Sequence, residues 1–583
     1  MVGDVVPRAE HLVARYLDHV VDHEPVEATR LGLDDRNAEL PELSPASLAA
    51  RSRDLAVLAA EVQSALDDVP PSPTGVDREA RDDLLLLSQT LEFRRFHLDV
   101  RPRLLFDPLA ALDTVAAGIH ELLRSGELGV DERRERVGDA VLRAEQVPRL
   151  LEEAGGLLTS SPAVHLDVAF QRLPGLIELL GDELPRHAAD LGLDVSAAAA
   201  AGASAGEGLQ AYAALLDELA DEPPGEWRLG SHDHAVTLRT ALGTTFDPQQ
   251  IEDRARVWIT RVRQEMAEIA AAGWSRRFPG EPVPAGAVER IRRTLEAVAA
   301  TAVTRERLMD EARLAVDEAR AFALDSGLTD VPPADRLRVT EVPPYLRGIA
   351  VAFLAQAPPL RRELGCTYYL SPVPEHWDAA QAESFLREYN PAQLRSLAIH
   401  EGYPGHFVQL EHAARHPRLA RRLLARPVFA EGWAVYIERE MAAAGFADEG
   451  TSCVDGDDYR MTQLKLELRI ATNALLDIGL HAGELADTDA LRLLTCTAFQ
   501  ERAEAEGKLV RAKVTSGQLS SYFVGGEELT DLRHAEERRL GSAFDVRQFH
   551  QRVLSHGTPT TAIVADALAD DAPVHRPFAP TRS

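Results

Sequence analysis

Two histidines six residues apart, His400 and His406, with Glu401 beside the first and Glu431 twenty-five residues beyond the second, are the parts of a zinc hydrolase site. In the short form HExxH the two imidazoles sit at i and i+4 on one helix face and bind the metal, and the glutamate works as base. Here the spacing is HExxxxH, and residues six apart on an ideal helix point about 120° away from each other. Pro404 supplies the physical remedy. It has no N–H to return to the carbonyl of His400 and its ring crowds that turn, so the helix must break or bulge there. Gly405 follows directly and tolerates the backbone angles that re-entry into a helix demands. Looping out two residues turns both rings back to one side.

Glu431 completes the set. A carboxylate on a following helix gives three protein ligands and leaves a fourth position for water. In the segment that runs from Glu431 to Glu438, Glu431, Val435 and Glu438 share one face, and two carboxylates on an otherwise apolar helix are costly to bury without a cation. His400, His406 and Glu431 are thus expected to hold one zinc ion per chain, and manganese or cobalt also suits such donors. Glu401 would take the proton of the activated water and return it to the leaving amine.

The residues from His400 to His406 read HExxPGH and those from Glu431 read EGWA, and this pairing resembles a family of bacterial proteins catalogued as domain of unknown function 885. The likeness extends to the stretch from Glu24 to Leu33, to the element from Gly517 to Gly525, and to the C-terminal stretch from Phe549 to Pro559. Ser516, where the family often has proline, and Phe407 depart from its pattern. The resemblance implies a mostly helical fold similar to zinc carboxypeptidases of the Taq type, with a metal at the floor of a long cleft. In related helical zinc peptidases tyrosines often serve as donors to the oxyanion. Tyr522 is the first candidate here, with Tyr436 and Tyr369 as further candidates for contact with substrate. Arg469 lies on an apolar helical stretch, where it either binds a substrate carboxylate or, as the favoured reading, pairs with Asp477 or a carboxylate near the metal.

The chain of 583 residues exceeds a single ordinary core, so two helical lobes are expected, 1–240 and 241–583, the second carrying the metal motif. Its 93 acidic against 63 basic residues give a net charge of −30, which argues against nucleic acid or an anionic membrane as partner. Three cysteines, Cys366, Cys453 and Cys496, make neither a disulfide framework nor a thiolate metal site. The first ten residues lack a basic head followed by an apolar run, and the expected compartment is cytoplasmic. Oligomeric state is not legible.

Apolar residues recur at helical spacing in 255–271 and 305–324, so the fold class expected is mainly α. The alanine-, serine- and glycine-rich run 194–208 reads as a flexible connection or a poorly packed helix end. The stretches 337–342, 348–355 and 366–370 are β-prone and separated by proline pairs, which predicts a small antiparallel sheet near the active site whose edge could receive an extended peptide. Two other patterns carry less. His412 and His416 have metal-pair spacing but lie beside Arg415 and Pro417 at a helix end, and Gly202-Ala203-Ser204-Ala205-Gly206 matches a nucleophile elbow without the strand that an elbow needs. His481 reads as a satisfied core histidine. The chain is therefore expected to be a zinc metallopeptidase of carboxypeptidase type acting on peptides. The alternatives are a zinc amidohydrolase acting on a small amide and a helical binding protein without catalysis.

Overall fold

The computed structural model describes residues 5–70, 75–124, 128–343, 351–375, 377–448, 454–483 and 485–569. It is 74% helical, with one small sheet, and so mainly α as expected. Sequence punctuation explains where the helices start. Asp247 and Gln250 form a reciprocal capping box ahead of Pro248–Ala272, with proline at the first helical position, and Asp378 and Gln381 do the same for Ala379–Glu388. The amphipathic patterns at 255–271 and 305–324 fall in the helices Pro248–Ala272 and Leu308–Ser326. The run 194–208 is not a flexible connection but the N-terminal end of a helix, and it is well packed, with Ala198, Ala201, Gly202 and Ala205 buried. Asp194 caps the helix Val195–Ala220, and its alanines permit close packing: Gly202 sits where a Cβ would lie 2.1 Å from the carbonyl oxygen of Leu180.

The sheet has three strands, β1 (Leu337–Glu341), β2 (Ala352–Ala355) and β3 (Cys366–Leu370), in the order β1-β3-β2. β2 runs antiparallel to β3, but β1 runs parallel to it, with Leu337 opposite Cys366 and Glu341 opposite Leu370. The sheet is therefore mixed, not antiparallel. Strand propensity specifies an extended backbone without a direction, and the heavily buried β3 takes the centre, leaving β2 as an edge. Of the stretch expected to form the second strand, 348–350 lies outside the described residues, as do Pro344 and Cys453.

Beneath this sheet lies the core that carries the motif. Ile399, Phe407 and Val408 pack with Trp433, Tyr436 and Ile437, with Tyr368 and Leu370 of β3, and with Phe549 and Val553 from near the C-terminus. Six helices position the site: α1 (Pro391–Leu397), α2 (His406–Ala413), α3 (Pro427–Ala443), α4 (Gly456–His481), α5 (Arg502–Val514) and α6 (Gln518–Leu540). α3 carries Glu431 and α6 carries Tyr522, so their separation sets the width of the site. Glycine fixes it. A Cβ on Gly432 would stand 2.4 Å from the carbonyl carbon of Gly525, and one on Gly525 would stand 2.0 Å from the carbonyl oxygen of Val428. The two backbones thus touch with no side chain between them. Substituting Gly525→Ala is expected to force α3 and α6 apart and to destabilise the protein by about 1–3 kcal/mol, read as a lower urea midpoint. An unchanged midpoint would mean that the glycine contact does not set this spacing.

Candidate metal centre

From α1 the chain does not break at once. It widens into a π-type turn over Ala398–Gly402, in which the N–H of Tyr403 donates to the carbonyl of Ala398 at 3.0 Å, five residues back. It then passes through Pro404, and the N–H of Gly405 donates to the carbonyl of Ile399 at 3.0 Å before α2 begins at His406. Gly405 has φ −75° and ψ −130°, outside both helical and strand wells. Space is the stricter demand: a Cβ there would lie 2.1 Å from the carbonyl oxygen of His400 and 2.2 Å from that of Ile399. Trp433 of α3 pins the turn from outside, its indole N–H donating to the carbonyl of Pro404 at 3.0 Å. The EGWA segment therefore supplies a carboxylate, a helix contact and a clamp from three successive residues.

These constraints bring the His400 and His406 rings to 4.7 Å between centroids, nearly perpendicular at 83°. Oε2 of Glu431 stands 3.5 Å from Nε2 of His400 and 3.4 Å from Nε2 of His406. The donor atoms of all three residues lie within 4.8 Å of one another. Tetrahedral zinc with bonds of about 2.0–2.2 Å holds its donors about 3.3–3.6 Å apart, and both separations from Glu431 to the histidines fall in that range. Oε2 of Glu431, a buried oxygen without a hydrogen bond among the described residues, fits it as well. Burial alone would lower the His400 pKa, yet Glu431 and Glu438 hold it well above the usual histidine range. Burial would raise Glu431, and the two imidazoles hold it far below the usual carboxylate range instead. The pocket is thus built to stabilise positive charge at the point where the three side chains meet.

Behind His400, Oε1 of Glu438 lies 2.6 Å from Nδ1. That contact orients the ring and leaves Nε2 free to ligate, the carboxylate–histidine–metal arrangement of zinc sites. Glu438 was legible as a face-mate of Glu431, but its role behind the ligand was not. Glu401 is 8% exposed, and its Oε2 accepts the N–H of Leu354 on β2 at 2.9 Å. This bond uses the outer edge of β2, so the sheet's free edge borders the Glu401 carboxylate.

Tyr522 stacks towards His400, with ring centroids 6.5 Å apart. The negative charge of Glu431, then burial, keeps its hydroxyl protonated well past the usual tyrosine range. Tyr436 is not brought to His400, His406 and Glu431. It is buried, and its hydroxyl bonds Nε2 of His550 at 2.8 Å inside the core. Tyr369 points to the other face of the sheet, where its ring lies 5.3 Å from that of Phe353 and near Arg124. The neighbour that faces Glu401 is Tyr368, fully buried with its hydroxyl unbonded, and strand alternation is the signal that distinguishes the two. Arg469 pairs with Glu504 of α5, not with Asp477. Asp477 instead accepts the Ser520 hydroxyl at 2.6 Å and the Gly517 N–H at 3.0 Å. His481 bonds the carbonyls of Ala512 and Thr515, each at 2.8 Å, as a core histidine. His412 lies 3.4 Å from the carbonyl of Asp330, and His416 accepts the N–H of Arg418 at 3.1 Å, so the two serve separate backbone groups. Ser204 lies within a helix, not at an elbow.

Zinc is expected at about one ion per chain in the purified protein, and His400→Ala and His406→Ala should lose it. Glu438→Gln should keep a weaker site, with affinity reduced about 10–100-fold. Elemental analysis and competition with a chromogenic chelator read both. Retention of zinc by the two histidine variants would place the metal elsewhere.

No curated protein has a sequence that matches this chain. Among solved structures it resembles a candidate lipoprotein of unknown function from Shewanella oneidensis, with TM-score 0.79, 23% identity, and coverage of 97% of this chain and 100% of that one. It also resembles a candidate lipoprotein from Colwellia psychrerythraea, with TM-score 0.77, 15% identity, and coverage of 96% and 99%. At these identities the likeness is one of fold. The lipoprotein descriptions run against the cytoplasmic compartment expected from the first residues, and that expectation is withdrawn. No helix among the described residues is long and apolar enough to cross a membrane. The model of the family described as bacterial protein of unknown function (DUF885) matches residues 25–568, nearly the whole length, and the chain belongs to that family.

Proposed function

We propose that this protein is a zinc-dependent peptidase that cleaves peptides near a free C-terminus. The observation that carries the reading is the convergence of His400, His406 and Glu431, with Glu431 at tetrahedral donor spacing from both imidazoles, Glu438 behind His400 and Glu401 next to it in the chain. Zinc held by the three residues would supply Lewis acidity, making a water nucleophilic near neutral pH and polarising the substrate carbonyl. Glu401 accepts the proton of that water and delivers it to the leaving nitrogen. The N–H of Leu354 fixes the rotamer of Glu401 until substrate arrives. Tyr522, protonated and facing His400, donates its hydroxyl hydrogen to the developing oxyanion. The outer edge of β2 offers further N–H and C=O groups, with which an extended peptide could pair as an added strand. The C-terminal preference rests on the family resemblance to Taq-type carboxypeptidases, an argument by analogy.

Glu401→Gln is expected to keep zinc while losing turnover by about a hundredfold or more, read on a peptide with a fluorophore and quencher. Undiminished hydrolysis by this variant would remove Glu401 from the chemistry. Equal rates on free and amidated C-termini would make the enzyme an endopeptidase.

A further inference from the structure

A second charged cluster lies against Tyr522, built from residues that the proposed chemistry does not use. Lys465 of α4 pairs with Glu388 at 2.8 Å, and Arg469 of α4 pairs with Glu504 of α5. Lys508 and Arg511, one helical turn apart on α5, complete the group. The charges that act on Lys508 are Arg469, Glu504, Arg511 and Glu388. Four cations, Lys465, Arg469, Lys508 and Arg511, thus face two carboxylates, Glu388 and Glu504. In a protein of net charge −30, this local surplus of positive charge, with Lys508 buried, is unusual.

Lys508 has the least company. It is 8% exposed, and its ammonium makes no hydrogen bond or ion pair among the described residues. Burial and the neighbouring Arg469 push its pKa well below that of an ordinary lysine, and Glu504 and Glu388 offset this only in part. Burying such a group is costly unless something compensates it. The positive charge of Arg511 acts on the hydroxyl of Tyr522, whose ring faces His400. Arg511, with Lys508 one helical turn before it, thus lies close to the residue that faces the metal centre.

We infer that Lys508 and Arg511 form an anion subsite next to the metal centre that receives the free α-carboxylate of the substrate's last residue. The inference rests on the peptidase reading for its choice of ligand. A carboxylate there supplies the counterion that Lys508 lacks and bonds in part to the guanidinium of Arg511. Arg469 does not bind the substrate in this arrangement. It holds Glu504, which keeps α5 against α4 and limits the surplus charge.

The test uses the full, zinc-loaded chain and one peptide in two forms, with a free C-terminal carboxylate and with a C-terminal amide. Lys508→Gln is expected to raise KM for the free acid about tenfold or more, with kcat little changed and the amide unaffected. Arg511→Gln should weaken the free acid similarly and also lower kcat, because it releases Tyr522. A second readout is independent of turnover. Calorimetry on the Glu401→Gln protein should show the acid binding more tightly than the amide, and the difference should vanish when Lys508→Gln is added. Lys508→Met should melt at a higher temperature than the parent, since it removes an uncompensated charge.

Unchanged KM for the acid in Lys508→Gln would overturn the subsite. So would a lower melting temperature in Lys508→Met together with equal losses for acid and amide, which would make Lys508 structural. If no peptide is hydrolysed but the acid still binds through Lys508, the subsite stands and the peptidase reading falls. If the parent hydrolyses both peptides and Lys508→Gln is neutral, the subsite falls and the hydrolase stands.

Discussion

One steric contact holds the account together: the backbone of Gly405 lies against the carbonyls of His400 and Ile399 with no room for a side chain. Without it the coil that leaves α1 could not return as α2 with His406 on the same side as His400. The π-type turn supplies the extra residue, Pro404 removes a donor that the turn has no use for, and Trp433 clamps the loop from α3. A backbone irregularity at a functional position is a common device, and here its purpose is visible in the ring geometry it produces.

The same economy appears where α3 meets α6. Gly432 and Gly525 let two helix backbones touch, and this places Glu431 and Tyr522 on facing sides of His400. Larger residues would hold the helices apart and open the site. Electrostatics then follow from packing. Two imidazoles and two glutamates lie together, with His400 raised by Glu431 and Glu438 and Glu431 lowered by the two imidazoles, and a divalent cation in their midst would satisfy the orphaned oxygen of Glu431. Glu401 adds its charge to His400 while its Oε2 accepts the N–H of Leu354 on β2.

Much of the centre was legible because it is local. His400, Glu401, His406 and the Pro-Gly pair lie within seven residues, and Glu431 and Glu438 repeat at helical spacing, so chain geometry alone relates them. What depended on distant partners was not legible. Arg469 meets Glu504, thirty-five residues on, and no local pattern distinguishes that carboxylate from Asp477. The direction of β1 relative to β3 is decided by the path between strands, which propensity does not encode. Tyr368 and Tyr369 are adjacent and equally aromatic, and only the buried face of the sheet distinguishes them. The alanine-rich run 194–208 misled because low complexity resembles looseness, while Asp194 at its start is an ordinary helix cap. Lys508 carries no sequence signal at all, since its isolation is a property of what fails to surround it.

The most direct test of the central claim is crystallographic. Anomalous scattering at the zinc edge from crystals of the metal-loaded protein should show one strong peak within about 2.0–2.2 Å of Nε2 of His400, Nε2 of His406 and a carboxylate oxygen of Glu431. A peak at the other group of three donors, His19, His23 and Asp54, with none between the two imidazoles, would contradict it.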